Sequence, residues 1–135
     1  MNFDQKYFKK FQFALEDIRR YFASAMHDLD IAQKDSFPEV KFTYSYQALI
    51  KAGITLLAKI GKVKVRSIPG HHVNIFEAMG DILGDQDVTS VGNAMRMKRN
   101  ADLYGGGELI GEKEAADYLK FVQGVIEKVK GTVSQ

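Results

Sequence analysis

Apolar positions recur at spacings of three and four from the start of the chain: Phe3, Tyr7, Phe8, Phe11, Ala14, Leu15, Ile18, Phe22, Ala25, Met26 and Leu29. A single stripe of this kind predicts an amphipathic helix from Asp4 to Gln33. At 1.5 Å per residue such a helix would be about 45 Å long, which is long for a chain of this size. Phe13 and Tyr21 lie off the stripe, so a second apolar patch faces elsewhere, and a second copy of the chain is one surface that could cover it. Asp35-Ser36-Phe37-Pro38 breaks the pattern. A second helix is expected from Glu39 or Val40 to Ile60, carried by Phe42, Tyr46, Leu49, Ile50, Gly53, Leu56, Leu57 and Ile60, with Gly61 as its C-cap. Gly53 inside that helix costs about 1 kcal/mol relative to Ala, and a close helix crossing accounts for its presence.

The basic stretch Lys62-Val63-Lys64-Val65-Arg66 alternates like a strand, but with no second strand to pair with it reads as a loop running on to Ser67-Ile68-Pro69-Gly70. A third helix is expected from His71 to Leu83 through Val73, Phe76, Met79 and Leu83, ended by Gly84. Asp87 is the expected N-cap of a fourth helix through Val88, Val91 and Met95 toward Leu103, which Gly105-Gly106-Gly107 stops. Glu112 opens a fifth, with Ala115, Leu119, Val122, Ile126 and Val129 on one face and Gly131 after it. The expected fold is all-α, with five helices, no sheet, and one domain over residues 1–135.

Composition narrows the function classes. The chain has 135 residues, 45% of them hydrophobic, enough for a core without disulfides or a structural metal. No cysteine is present, which excludes a disulfide scaffold, a Cys-ligated zinc or iron–sulfur site and a cysteine nucleophile. The net charge of +2 does not by itself announce nucleic acid but leaves room for a local basic patch. No apolar run is long enough to span a membrane, and Met1-Asn2-Phe3-Asp4-Gln5-Lys6 has no signal-peptide pattern, so a cytoplasmic protein is expected. An amphipathic membrane-binding helix over Phe3 to Phe22, with Lys6, Lys9, Lys10, Arg19 and Arg20, is a minor alternative, since those aromatics read first as core.

Phosphate-loop, Gly-x-Ser-x-Gly, His-Glu-x-x-His and EF-hand patterns are all missing. The histidines are His27, His71 and His72; the adjacent pair lacks a third ligand nearby, so no metal and no cofactor is assigned. The densest polar cluster is Arg96-Met97-Lys98-Arg99-Asn100-Ala101-Asp102-Leu103-Tyr104. On a helix Arg96, Asn100 and Tyr104 share a strip with Arg99 beside it, although Arg99 and Tyr104 are about 140° apart. A helix end leaving α geometry at the glycines would bring guanidinium, amide and phenol together, a set that suits phosphate and a base. The same cations also complement the helix dipole, with Asp102 pairing to one of them.

The order of these features, namely a long first helix, Tyr44-Ser45-Tyr46-Gln47-Ala48-Leu49-Ile50-Lys51-Ala52-Gly53, a Gly70-His71-His72 helix start, Arg99-Asn100-Ala101-Asp102-Leu103-Tyr104-Gly105 and a last helix with Glu114-Ala115-Ala116, resembles the HEPN superfamily. The resemblance runs from about Lys41 to Lys130. It implies an up-and-down helical bundle that forms a homodimer, binds RNA or nucleotide, and in many members cleaves RNA without a metal. It also implies a toxin–antitoxin or defence setting, with a minimal nucleotidyltransferase as partner. On this resemblance Arg99 takes the place of the motif Arg, Asn100 that of the polar residue after it, and Tyr104 stands where the motif His is expected. A phenol with pKa near 10 is a poorer general base at neutral pH than imidazole. Arg99, Asn100 and Tyr104 are therefore the candidate catalytic residues, and Arg96, Lys98, Asp102, His71 and His72 the candidate RNA- or nucleotide-binding ones. The alternative is a non-catalytic dimerisation or protein-interaction module, which the Tyr-for-His exchange favours.

Overall fold

Helix α2, Pro38–Leu56, is the element around which the others pack, because its apolar residues are not confined to one stripe. In a computed structural model of the protein, residues 2–104 and 110–134 are described, 102–104 by their backbone alone. Helix α1, Leu15–Lys34, and helix α5, Glu112–Val133, lie against α2, and α3, His71–Leu83, and α4, Gln86–Tyr104, pack on each other and on α2. The main core joins Leu29, Phe42, Tyr46, Leu49, Phe76, Met79, Met95, Leu119, Val122 and Ile126. The fold is an all-α bundle of five helices with a small two-stranded sheet among the described residues.

That sheet corrects two expectations. Strand β1, Phe8–Lys10, pairs antiparallel with β2, Val63–Val65, in the register Phe8↔Val65, Lys9↔Lys64, Lys10↔Val63. The Val63–Val65 alternation therefore is a strand, and the first helix begins at Leu15 rather than Asp4. The physical reason is that extended backbone here pairs with Val63–Val65 and turns Phe8 inward. Phe8 is buried in the main core, and Phe3 packs edge-on against it, 5.2 Å between centroids. An amphipathic helix over Phe3 to Phe22 consequently does not exist, and no helix among the described residues is long and apolar enough to cross a membrane. The second apolar patch is absorbed within the chain: Phe13, Ile18 and Ala58 form a satellite cluster with Tyr21 against it.

Helix boundaries follow from capping. Pro38 occupies the first turn of α2, where its missing N–H costs nothing. Lys41 reaches back to the last carbonyls of α1, donating to Ala32 O at 2.6 Å and Gln33 O at 3.3 Å. Past Leu56 the helix widens into a π turn, Leu57–Gly61, and the left-handed residue that ends it is Lys62, at φ 52°, not Gly61. Gly84 closes α3 at φ 64°. The cap of α4 is Asp85, not Asp87: its Oδ1 accepts the Asp87 N–H at 3.0 Å. Lys128 of α5 donates to the same carboxylate at 2.7 Å, and this bond holds the Asp85 carboxyl below its usual range. Helix α5 continues through Gly131 to Val133.

Two glycines set the depth of the helix crossings. A Cβ at Gly53 would lie 2.6 Å from both Ile75 Cγ2 and Met79 Sδ, so α2 and α3 approach closely there, as expected. A Cβ at Gly92 would lie 2.7–2.9 Å from the Phe76 ring, so the same logic joins α3 to α4. This second crossing brings the start of α3 alongside the second half of α4.

Candidate functional site

The start of α3 is built by Gly70, whose φ of 87° turns the chain in a way that disfavours other residues. The turn aims His71 and His72 toward α4, their rings 4.3 Å apart and edge to face. His71 Nδ1 lies 2.6 Å from Ile68 O. Because a carbonyl only accepts, that nitrogen carries the hydrogen. His72 Nδ1 meets the hydroxyl of Tyr46, from the middle of α2, at 2.8 Å. Tyr46 is 1% exposed and also touches Phe76. From α4, the Arg99 guanidinium carbon stands 5.5 Å from the Tyr46 ring centroid, within cation–π range.

These side chains hold one another neutral or charged in a consistent pattern. Burial pushes the Tyr46 phenol up to about 12, against the opposing pull of Arg99 and Arg96. Burial pushes His72 down to about 4, reinforced by repulsion from His71, Arg99 and Arg96. At neutral pH the Tyr46–His72 pair is a neutral hydrogen bond, while the guanidinium groups beside it keep their charge. Arg96 Nε is buried without a hydrogen-bond partner among the described residues. A buried charged donor without a partner costs roughly 1–3 kcal/mol.

A pocket of about 350 Å³ opens over this arrangement, lined by the Ser67–Gly70 loop, His71, His72 and Val73 on one side and Arg96, Arg99 and Asn100 on the other. Among the described residues no Asp or Glu lines it. Of the candidate residues, Arg96, Arg99, Asn100, His71 and His72 are thus brought together. Lys98 is not: it points to α5 and pairs with Glu114 at 3.0 Å. On a helix it sits about 160° from Arg96, so it cannot share the strip. The side chains of Asp102 and Tyr104, and the glycines 105–107, lie outside the described residues. Sequence reasoning misses Tyr46 as a site residue, because a Tyr at a helical apolar position reads as core. The signal that could have found it is its hydroxyl, which needs a partner when buried.

Among the described residues no three His, Asp or Glu side chains converge as a metal site. What the pocket offers is donors: two guanidinium groups, a carboxamide and imidazole N–H, arranged around a loop and a helix start. Such a set recognises phosphate or carboxylate oxygens. Comparison with protein-family models, with curated proteins and with solved structures finds no match to this chain.

Proposed function

We propose that the protein is a HEPN-like domain that binds RNA or nucleotide phosphate in the pocket between the start of α3 and the second half of α4. The observation that carries this reading is the pocket in which Arg96, Arg99, Asn100, His71 and His72 meet, with no Asp or Glu among its described lining residues. The unpartnered Arg96 Nε supports it further. Arg99 and Arg96 would hold non-bridging phosphate oxygens, and Asn100 a sugar or base edge. His72 would present Nε2–H to the ligand, because its Nδ1 accepts from Tyr46 when both groups are neutral. The family resemblance adds a homodimer and a toxin–antitoxin or defence setting with a minimal nucleotidyltransferase.

If RNA is cut, the ribose 2′-hydroxyl gives up its proton to water and its oxygen attacks the adjacent phosphorus. The bond from phosphorus to the 5′-oxygen of the next nucleotide breaks, that oxygen takes a proton from water, and a 2′,3′-cyclic phosphate is left. Arg99 stabilises the charge that develops on the phosphoryl oxygens. Free His72, at about 4, is a weak base, and the negative charge of a bound phosphate would raise it. A second reading, the non-catalytic interaction module, is favoured by the way Arg99 covers the buried Tyr46 ring, as a structural network would.

The test is incubation of a labelled structured RNA in EDTA with wild type and with Arg99→Ala, scored for both cleavage and binding. Cleavage by wild type alone supports a nuclease centred on Arg99. Binding by wild type alone, with the RNA intact, supports a phosphate site without catalysis. No binding by either protein overturns the RNA reading in favour of the interaction module.

A further inference from the structure

The two strands bring together stretches of the chain that carry cations and no carboxylates. Residues 5–15 contain Lys6, Lys9 and Lys10, and residues 40–76 contain Lys59, Lys62, Lys64 and Arg66 among others, with no Asp or Glu in either stretch. With a net charge of only +2 over the chain, positive charge is concentrated at this ribbon. Lys9 stands directly opposite Lys64, both exposed. Like charges at directly opposed positions destabilise a strand pair, and a two-stranded ribbon has little with which to offset that.

The ladder continues past both strands. Phe11 N–H donates to Lys62 O at 3.0 Å, and Arg66 N–H donates to Tyr7 O at 2.7 Å, so exposed Lys62 and Arg66 extend the cationic row in both directions. None of Lys9, Lys10, Lys62, Lys64 and Arg66 has an ion pair among the described residues. Asp4, Glu77 and Asp81 line a separate cleft with Phe3 and Phe8. An aromatic ring is set among the cations: Phe11 is 44% exposed, with the Lys64 ammonium 5.9 Å from its centroid.

The row also leads somewhere. Arg66 runs directly into the Ser67–Gly70 loop that lines the Arg96–Arg99 pocket. Tyr7, opposite Arg66, brings its hydroxyl to within 3.6 Å of the Cβ position at Gly70. Cations interleaved with an exposed aromatic, continuous with the Arg96–Arg99 pocket, are what an extended single strand uses: charge for its phosphates and a ring face for a base. A membrane surface would want a broad apolar face to insert, and the exposed large apolar side chains described at this ribbon are Phe11 and Ile60.

We propose that the β1–β2 ribbon is a binding face for single-stranded RNA, with Lys9, Lys62, Lys64 and Arg66 neutralising phosphates and Phe11 stacking a base, which feeds the strand toward the Arg96–Arg99 pocket. The choice of RNA rests on the proposed function of that pocket; the unpaired charge of the ribbon does not.

The experiment measures binding of a labelled single-stranded RNA of about 16 nucleotides across a salt series. Wild type, Lys9→Gln/Lys64→Gln, Phe11→Ala and Arg99→Ala are compared. The double variant should lower the slope of log affinity against log salt by about 1.4, or ~0.7 for each phosphate left without its cation, and should not lower the melting temperature. Phe11→Ala should weaken binding about tenfold at fixed salt. An unchanged slope in the double variant overturns the ribbon proposal, even if Arg99→Ala abolishes binding. A reduced slope with no effect of Arg99→Ala keeps the ribbon and removes the pocket reading. Phosphatidylserine vesicles form a control arm. Vesicle binding that needs Lys9 and Lys64, with RNA unbound or unaffected, overturns RNA as the ligand.

Discussion

Acidification should weaken this fold through His72, and the size of the effect follows from its surroundings. Burial, His71, Arg99 and Arg96 all disfavour the imidazolium and push the folded-state value down to about 4, from an ordinary 6.5. Between those two values the unfolded chain binds a proton that the folded protein refuses, so stability falls as pH falls through 6.5 toward 4. Above about pH 7 both states are neutral and the group contributes nothing. At about pH 5 the unfolded imidazole is almost fully protonated and the folded one about a tenth. The difference amounts to about 2 kcal/mol as an upper value, at 1.36 kcal/mol per unit. The ring is only partly buried, and solvent screening should leave about 1 kcal/mol or somewhat more. Urea unfolding at about pH 7.5 and pH 5, for wild type and His72→Gln, isolates this effect, because the carboxylates and His71 are common to both proteins. Glutamine can still accept the Tyr46 hydroxyl hydrogen bond and does not titrate. Wild type should lose about 1–2 kcal/mol more than the variant on acidification. Equal losses in the two proteins would refute the claim that His72 is held neutral.

Two further outcomes test the packing. Gly92→Ala drives a methyl into the Phe76 ring at 2.7–2.9 Å; urea unfolding should find it destabilised by about 1–3 kcal/mol, and an unchanged midpoint would contradict the close α3–α4 crossing. Asp28 is 3% exposed and its Oδ2 lies 2.7 Å from Lys51 Nζ, an ion pair without hydrogen-bond geometry. Lys51→Met, which strands the buried carboxylate, should cost about 3 kcal/mol in thermal or urea unfolding, whereas Asp28→Leu/Lys51→Met should recover most of it. Equal stability of the single and double variants would place the carboxylate in water.

Local pattern carries the helices that have unambiguous punctuation. His71–Leu83 and the start at Glu112 follow from a 3.6-residue period bounded by glycine or by an acidic first turn. The N-terminal segment misleads for a physical reason. Phe3, Tyr7, Phe8 and Phe11 satisfy a helical stripe, and three-residue strands are too short to display alternation. What decides for a strand is Val63–Val65, far along the chain, offering its backbone groups and a buried place for Phe8.

The same division holds at the site. That Arg96, Arg99 and Asn100 share one face of a helix is a property of their spacing, and so is the separation of Lys98 from them. That His71, His72 and Tyr46 join them depends on Gly53 and Gly92, where missing side chains let α2, α3 and α4 approach closely enough for Tyr46 to reach His72 and Arg99 beside a pocket lined by residues 67–73 and α4. Periodicity along the chain determines which face of each element is apolar; which faces meet is settled by close packing between elements, a property no single segment contains.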